Sequence, residues 1–210
     1  MSRQRYTPKQ LKELTARTVG HYQNRADDFW EGTRDHDVTQ NINALLDPLQ
    51  IPKGARILDF GCGPGRDIKA FQELGHVAIG LDGSEAFCAM ARAYSGAEVW
   101  CQDFIALTLP RETFDGIFAN ASLFHIPRCE LPRVLGELFD TLKTGGVLVA
   151  SSPRGPNIEQ MNAERYGAYL DHSVWASLFE TAGFRTLTHY FRPSGLPREQ
   201  QPWLVTVWRK

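Results

Sequence analysis

Ile57-Leu58-Asp59-Phe60-Gly61-Cys62-Gly63-Pro64-Gly65-Arg66-Asp67 is the stretch on which the reading of this chain turns. Ile57 and Leu58 close a short apolar run, and glycines then alternate at Gly61, Gly63 and Gly65. Ile68, Phe71 and Leu74 follow at helical spacing. This order predicts a buried strand, a tight turn and the start of a helix. Glycine tolerates positive φ and lets a ligand approach the backbone with no Cβ in the way. The first helical N–H groups lack intrahelical partners and can bind an anionic or polar group. A cofactor site is the expectation. A strand-to-helix turn without a ligand is the plain alternative, and a lone glycine motif does not separate the two.

Downstream, Gly75 suits a helix C-terminus, and Val77, Ile79 and Leu81 predict a second strand ending at Asp82. Ser84 can cap the next helix, with Phe87, Met90, Ala91 and Tyr94 inward. A short strand at 97–101 stops before Asp103, and Phe114 to Asn120 reads as a fourth strand. Leu131, Val134, Leu135, Leu138 and Leu142 mark a helix. Lys143-Thr144-Gly145-Gly146 then turns into a fifth strand, Val147 to Ala150. Strand and helix alternate, as in a mostly parallel sheet with helices on both faces. Residues 153–172 break the rhythm and read as a loop or short-helix insertion over the active site. A helix at 173–182 stops at Gly183, and the strand-like runs Thr186–Phe191 and Trp203–Arg209 should pair antiparallel.

Upstream, Thr7-Pro8-Lys9-Gln10 has the form of a capping box with proline at the first helical position. Leu11, Leu14, Thr18, Val19, Tyr22, Ala26, Phe29 and Trp30 continue an amphipathic helix, with a break expected near Gly20. Val38, Ile42, Leu45, Leu46 and Leu49 mark a second helix. The expected layout is one domain: a helical cap over 1–50, a core over 51–152, the insertion over 153–172, and a closing helix and hairpin over 173–210.

At 210 residues with 42% hydrophobic content, the chain can bury a full core. A net charge of −1 without a basic run argues against a nucleic-acid surface. Cys62, Cys88, Cys101 and Cys129 form no CxxC pair, fall on elements expected to be buried or nearly so, and suit a reduced compartment. The six histidines lack metal-ligand spacing, so no metal is expected. Met1-Ser2-Arg3-Gln4-Arg5-Tyr6 leads into no apolar signal core, and no run reaches transmembrane length. A soluble, cytoplasmic protein is the expectation.

Taken together, these stretches resemble the class I S-adenosylmethionine-dependent methyltransferases. Asp59-Phe60-Gly61-Cys62-Gly63-Pro64-Gly65 is similar to the family's first motif, and Asp82 after Gly80-Leu81 to the acidic end of its second strand. Cys101-Gln102-Asp103-Phe104 resembles the third motif, Asp115 to Ile126 the fourth, and Leu142-Lys143-Thr144-Gly145-Gly146 the turn before the fifth strand. Each is weak alone; together, in order, they are specific. The resemblance runs from Ile57 to Ser152, and the closing helix and hairpin fit it. It implies an α/β, Rossmann-like, seven-stranded, mostly parallel sheet with helices on both faces and the last strand antiparallel, under an N-terminal helical cap. It also implies S-adenosyl-L-methionine as cofactor and direct in-line methyl transfer to nitrogen, sulfur or oxygen. The competing readings are a dinucleotide-binding enzyme and a non-catalytic cofactor-binding module serving a partner protein. Against the first, Arg66 stands where G-x-G-x-x-G needs glycine, and Gly65 falls one residue early.

The resemblance places the cofactor against Asp59, Gly61, Cys62, Gly63, Asp82, Gly83, Ser84, Asp103, Phe104 and Asn120. A carboxylate has two acceptor oxygens, so Asp82 can take both ribose hydroxyls. Asp103 can accept from the adenine amino group, with Phe104 or the Phe87 region bounding the ring. Gly61 and Gly63 would let the methionine moiety lie on the loop. Asp59 would order the glycine loop or reach the amino group through water. Asn120 ends the fourth strand, where open α/β sheets place ligands. The plain alternatives are a strand-end acid at 82, a surface acid at 103, a structural role at 59 and a helix cap at 120.

The sulfonium brings its own leaving group, so the protein mainly aligns the acceptor; orientation supplies roughly 7–11 kcal/mol in well-oriented intramolecular reactions. A cationic amine or a thiol must first lose a proton. His125 is the candidate catalytic base, with a loop-ordering or packing histidine as the alternative. Substrate contacts are expected from Tyr22, Trp30, Arg34, Phe124, Arg154, Arg165, Tyr166 and Tyr169. Arginine forks suit a carboxylate or phosphate, and aromatics can hold a cationic amine. The expected partner is a small molecule, one bearing a carboxylate or other anion. Asn120-Ala121-Ser122-Leu123 departs from the Asn/Asp-Pro-Pro-aromatic pattern of enzymes that methylate nucleic-acid amines, and no double-glutamate loop of the protein-arginine type is present. No nucleic-acid or membrane partner is expected, and the chain should be a monomer or homodimer.

Overall fold

The computed structural model describes residues 6–210, so the N-terminal reading over Met1–Arg5 lies outside the described residues. Helix α1 (Pro8–Gln23) opens on the capping box: the Gln10 backbone N–H donates to Thr7 Oγ1, and the Thr7 N–H donates to Gln10 Oε1. It runs unbroken through Gly20, against the expected break. One interior glycine costs only about 1 kcal/mol relative to alanine. The break comes instead at Asn24–Arg25, before α2 (Ala26–Thr33) and α3 (Thr39–Leu49).

The core alternates as the sequence predicts: β1 (Arg56–Phe60), α4 (Arg66–Glu73), β2 (Val77–Asp82), α5 (Glu85–Ser95), β3 (Val99–Cys101) and β4 (Phe114–Asn120). After a single 3-10 turn at Leu123–His125 come α6 (Leu131–Thr141) and β5 (Leu142–Pro153). β5 is longer than expected because Leu142 already pairs with Phe114. The Lys143–Gly146 turn is then absorbed as an irregularity before Gly116 pairs with Val147. The insertion is neither loop nor helix: β6 (Ile158–Asn162) and β7 (Arg165–Tyr169) form an antiparallel hairpin. The chain closes with α7 (His172–Thr181), β8 (Arg185–Arg192) and β9 (Trp203–Arg209).

The main sheet has seven strands in the order β3-β2-β1-β4-β5-β9-β8. All pairs from β3 to β5 are parallel, and only β9 runs against its neighbours. Successive strand residues point to opposite faces. Leu58, Leu148 and Trp208 thus join one apolar cluster with α6 and α7, while Ile57, Val149 and Val207 join another with α3, α4 and α5. Strand order reverses between β1 and β4, where open α/β sheets bind ligands beyond the strands' C-terminal ends.

Candidate active site

A cavity of about 590 Å³ opens at this switch point. The backbone N–H of Gly61 donates to the Leu81 carbonyl, and that of Gly63 donates to Asp82 Oδ2 at 3.0 Å. Asp82 Oδ1 accepts from the Ser84 N–H at 2.9 Å. A carboxylate has about four acceptor positions, so acceptor capacity remains for a ligand beside these donors and the nearby Gly83 N–H. Burial nonetheless pushes the Asp82 carboxyl up to about 6. Asp103 is similarly prearranged: its Oδ1 accepts from the Ile105 N–H, and its Oδ2 from Thr15 Oγ1 at 3.1 Å. Phe104 stacks on Phe60 with ring centroids 4.4 Å apart and forms an apolar wall.

The glycines are needed for different reasons. Gly61 and Gly63 both have positive φ, +81° and +51°. A Cβ at Gly61 would lie 2.3 Å from Ser122 Cβ, so that glycine is fixed by the protein's own packing rather than by room for a ligand. A Cβ at Gly63 would meet only Phe29 Cε1, at 3.6 Å, on the cavity side.

Of the expected cofactor residues, Gly61, Cys62, Gly63, Asp82, Gly83, Ser84, Asp103, Phe104 and Asn120 line the cavity. Asp59 does not. It is 1% exposed behind the glycine turn, takes the Ile68 backbone N–H, and leaves Oδ2 with no hydrogen-bond partner. Burial first, and the Asp67 carboxylate second, hold its carboxyl well above the usual range. Asn120 donates to Asp67 Oδ2 and accepts from Asn41 Nδ2 rather than capping a helix. Among the expected acceptor residues, Tyr22, Trp30, Phe124, His125 and Arg165 line the cavity. The others lie outside it. Arg34 pairs with Glu31 and Asp35, and Arg154 donates to the Arg198 carbonyl. Tyr166 is buried and donates its hydroxyl to Glu159, and Tyr169 packs beside Phe124.

Sequence reasoning missed the fasteners of the cap. Besides Thr15 on Asp103, Thr18 Oγ1 accepts the Tyr166 N–H, and Gln23 Oε1 accepts from both Ser84 Oγ and the Ala86 N–H. It also missed Asp67, Arg192 and Trp203 in the lining. Asp67 follows the glycine turn directly and was legible there; the others are set by packing between distant segments. Cys62 and Cys88 are buried as expected, whereas Cys101 and Cys129 are exposed because they end a strand and occupy a loop. Among the described residues, no cluster of three or more His, Cys, Asp or Glu could hold a metal, and no helix is long and apolar enough to cross a membrane.

Residues 57–146 match a family model described as a methyltransferase domain. The chain is 34% identical over 128 residues to 24-methylenesterol C-methyltransferase 2 of Oryza sativa subsp. japonica, covering 57% of this chain and 33% of the relative. It is 32% identical over 141 residues to trans-aconitate 2-methyltransferase of Variovorax paradoxus, covering 66% and 53%. The matched regions thus span between a third and just over half of these relatives. In fold it is similar to the Burkholderia thailandensis 1,6-didemethyltoxoflavin-N1-methyltransferase solved with 1,6-didemethyltoxoflavin and S-adenosylhomocysteine. That likeness has a TM-score of 0.72 at 20% identity, over 100% of this chain and 93% of the other. The strand order, the glycine turn with its two acids, and the matched 57–146 core make this chain similar to the class I S-adenosylmethionine-dependent methyltransferases.

Proposed function

We propose that this chain is an S-adenosylmethionine-dependent methyltransferase, of general class EC 2.1.1.-, acting on a small-molecule acceptor at nitrogen, sulfur or oxygen. One observation carries the reading: a single cavity is lined both by Gly63, Asp82, Ser84, Asp103 and Phe104 and by Tyr22, His125 and Arg165. The first group suits a nucleoside whose hydroxyl and amino groups donate. The unfilled acceptor positions of Asp82 and Asp103 supply its polar contacts, and Phe104 supplies an apolar face. When bound, the cofactor supplies an electrophilic methyl group on a sulfonium. The chain's own work is to hold the acceptor in line and exclude water.

An acceptor of anionic character is supported by Arg165. Its Nε is buried without a hydrogen-bond partner, and Nη1 reaches only the Tyr22 hydroxyl, at 3.4 Å. Arg154 supports nothing here, since it lies outside the cavity. Calorimetry with S-adenosylmethionine, S-adenosylhomocysteine and NAD, followed by transfer of tritiated methyl to a small-metabolite extract, tests the reading. Sulfonium binding with transfer is expected. Binding without transfer would leave a cofactor-binding module, and NAD binding without sulfonium binding would overturn both.

A further inference from the structure

We propose that Tyr22 and His125 together take a proton from the methyl acceptor, and that the acceptor group is therefore protic, an N–H or O–H of the phenol, enol or imide type, rather than a carboxylate oxygen. The inference rests on the methyltransferase reading above.

The hydrogen bonds around His125 fix its tautomer. Nδ1 lies 2.6 Å from the Tyr166 carbonyl oxygen, which can only accept, so Nδ1 carries the proton. A neutral ring then has a bare Nε2, which lies 2.8 Å from the Tyr22 hydroxyl and accepts its proton. Burial, with the charges of Arg165 and His21 nearby, pushes the imidazole down to about 4 and keeps that lone pair free at neutral pH. Burial also raises the Tyr22 phenol, which therefore holds its hydrogen. With that hydrogen directed at His125, the Tyr22 oxygen presents lone pairs. Arg165 Nη1 approaches the same oxygen at 3.4 Å. Phe29 and Phe87 fix the ring itself, their centroids 5.6 Å away.

Arg165 fills one acceptor position of the Tyr22 oxygen, and the position left on this cavity-lining residue suits a donor. A carboxylate acceptor has none to give and would set oxygen against oxygen. An acceptor X–H fits. Its proton passes to Tyr22 Oη as the phenolic proton passes to His125 Nε2. The electron pair left on X bonds the methyl carbon, and the carbon–sulfur pair stays on sulfur. One positive charge is lost at the sulfonium and one appears on the imidazolium, so the net charge of the site is unchanged. Arg165 stabilises the negative charge developing on X.

Two readouts on the full chain test this. In imidazole 15N NMR with S-adenosylhomocysteine bound, His125 is expected to be the Nδ1–H tautomer, with Tyr22→Phe shifting the Nε2 resonance; an Nε2–H tautomer would overturn the proposal. In the second, [methyl-3H]S-adenosylmethionine labels a small-metabolite extract, and the products are treated with mild alkali. Methyl esters release volatile methanol, whereas methyl ethers and N-methyl groups do not. Alkali-stable label is expected. Its formation should fall about 100-fold or more in Tyr22→Phe and in His125→Gln, the range of lost general-base catalysis, with S-adenosylhomocysteine affinity unchanged. Volatile label, or variants that keep the wild-type rate, would overturn it, including where they merely melt at a lower temperature. Wild-type protein that binds the cofactor and transfers no label would remove the methyltransferase reading itself.

Discussion

Alanine at Gly61 and at Gly63 should injure this protein in two different ways, and the difference can be worked from the coordinates. Both positions hold positive φ, which costs an L-residue about 1–2 kcal/mol. At Gly63 little else is added, since the nearest atom to a new Cβ is Phe29 Cε1 at 3.6 Å. At Gly61 the new Cβ would fall 2.3 Å from Ser122 Cβ and 3.3 Å from Phe104 Cζ. Neither neighbour yields easily: Ser122 Oγ donates to the Phe60 carbonyl at 2.6 Å, and Phe104 is stacked on Phe60. Overpacking of this kind costs about 1–3 kcal/mol. Gly61→Ala should therefore lose about 2–5 kcal/mol in all, and Gly63→Ala about 1–2. In a chain of this size 1 kcal/mol shifts the melting temperature by about 2–4 °C, so Gly61→Ala should melt roughly 2–12 °C below Gly63→Ala. Gly63→Ala, whose methyl group projects toward the cavity, should instead weaken S-adenosylhomocysteine binding in a protein that remains folded. Thermal denaturation and calorimetry on both variants decide the matter. Equal melting temperatures, or a Gly61→Ala protein as stable as wild type, would refute the packing explanation for the glycine turn.

Other outcomes follow from the same site. His125 is held down to about 4 by burial and by the Arg165 and His21 cations, with Tyr22 and Tyr166 as its hydrogen-bond partners, so the acid limb of kcat/KM should lie near that value and not near 6.5. A limb at 6.5 would contradict this environment. The Asp59 carboxyl is raised, so the folded state disfavours its ionised form and stability falls as pH rises above the ordinary carboxylate range. Asp59→Asn should therefore melt above wild type at pH 8, with the gap closing toward pH 4. Asp82→Asn removes a charged acceptor and should weaken S-adenosylhomocysteine roughly 10–100-fold, as expected for hydrogen bonds to charged groups. Calorimetry showing wild-type affinity would remove Asp82 from the ligand's contacts. Arg165→Ala should raise KM for the acceptor identified by the label assay, whereas Arg154→Ala should lower the melting temperature by freeing the Arg198 carbonyl.

What the sequence discloses is what local patterning decides. β2, β4 and β9 begin and end where their apolar runs do, Thr7 and Ser84 cap helices through their side chains, and Gly75 follows the end of α4 at positive φ. The β6–β7 hairpin escapes because its turn has no Asn-Gly or Asp-Gly signal; Ala163 takes the positive φ instead. Gly155 and Gly167 read as loop residues, yet they are there because Tyr169 packs against the backbone at both. The break near Gly20 fails because glycine inside a helix is a small cost, outweighed by the capping box and by the fastening of Thr15, Thr18 and Gln23 to the core. The cavity divides in the same way. Its glycine-turn lining comes from consecutive motifs and is legible. Its acceptor lining joins α1, the Leu123–His125 turn and β7, with Tyr22 and His125 separated by 103 positions. Residue types suggest Tyr22, His125 and Arg165 singly, but only packing brings them together. It also leaves Arg34, Arg154, Tyr166 and Tyr169 outside the cavity.

The most direct measurement is a crystal structure of the full chain grown with S-adenosylhomocysteine. The ligand is expected at the β1–β4 switch point, with its ribose against Asp82, its adenine between Asp103 and Phe104, and its sulfur facing Tyr22 and His125. Density elsewhere, or an empty switch-point cavity at saturating ligand, would contradict the account.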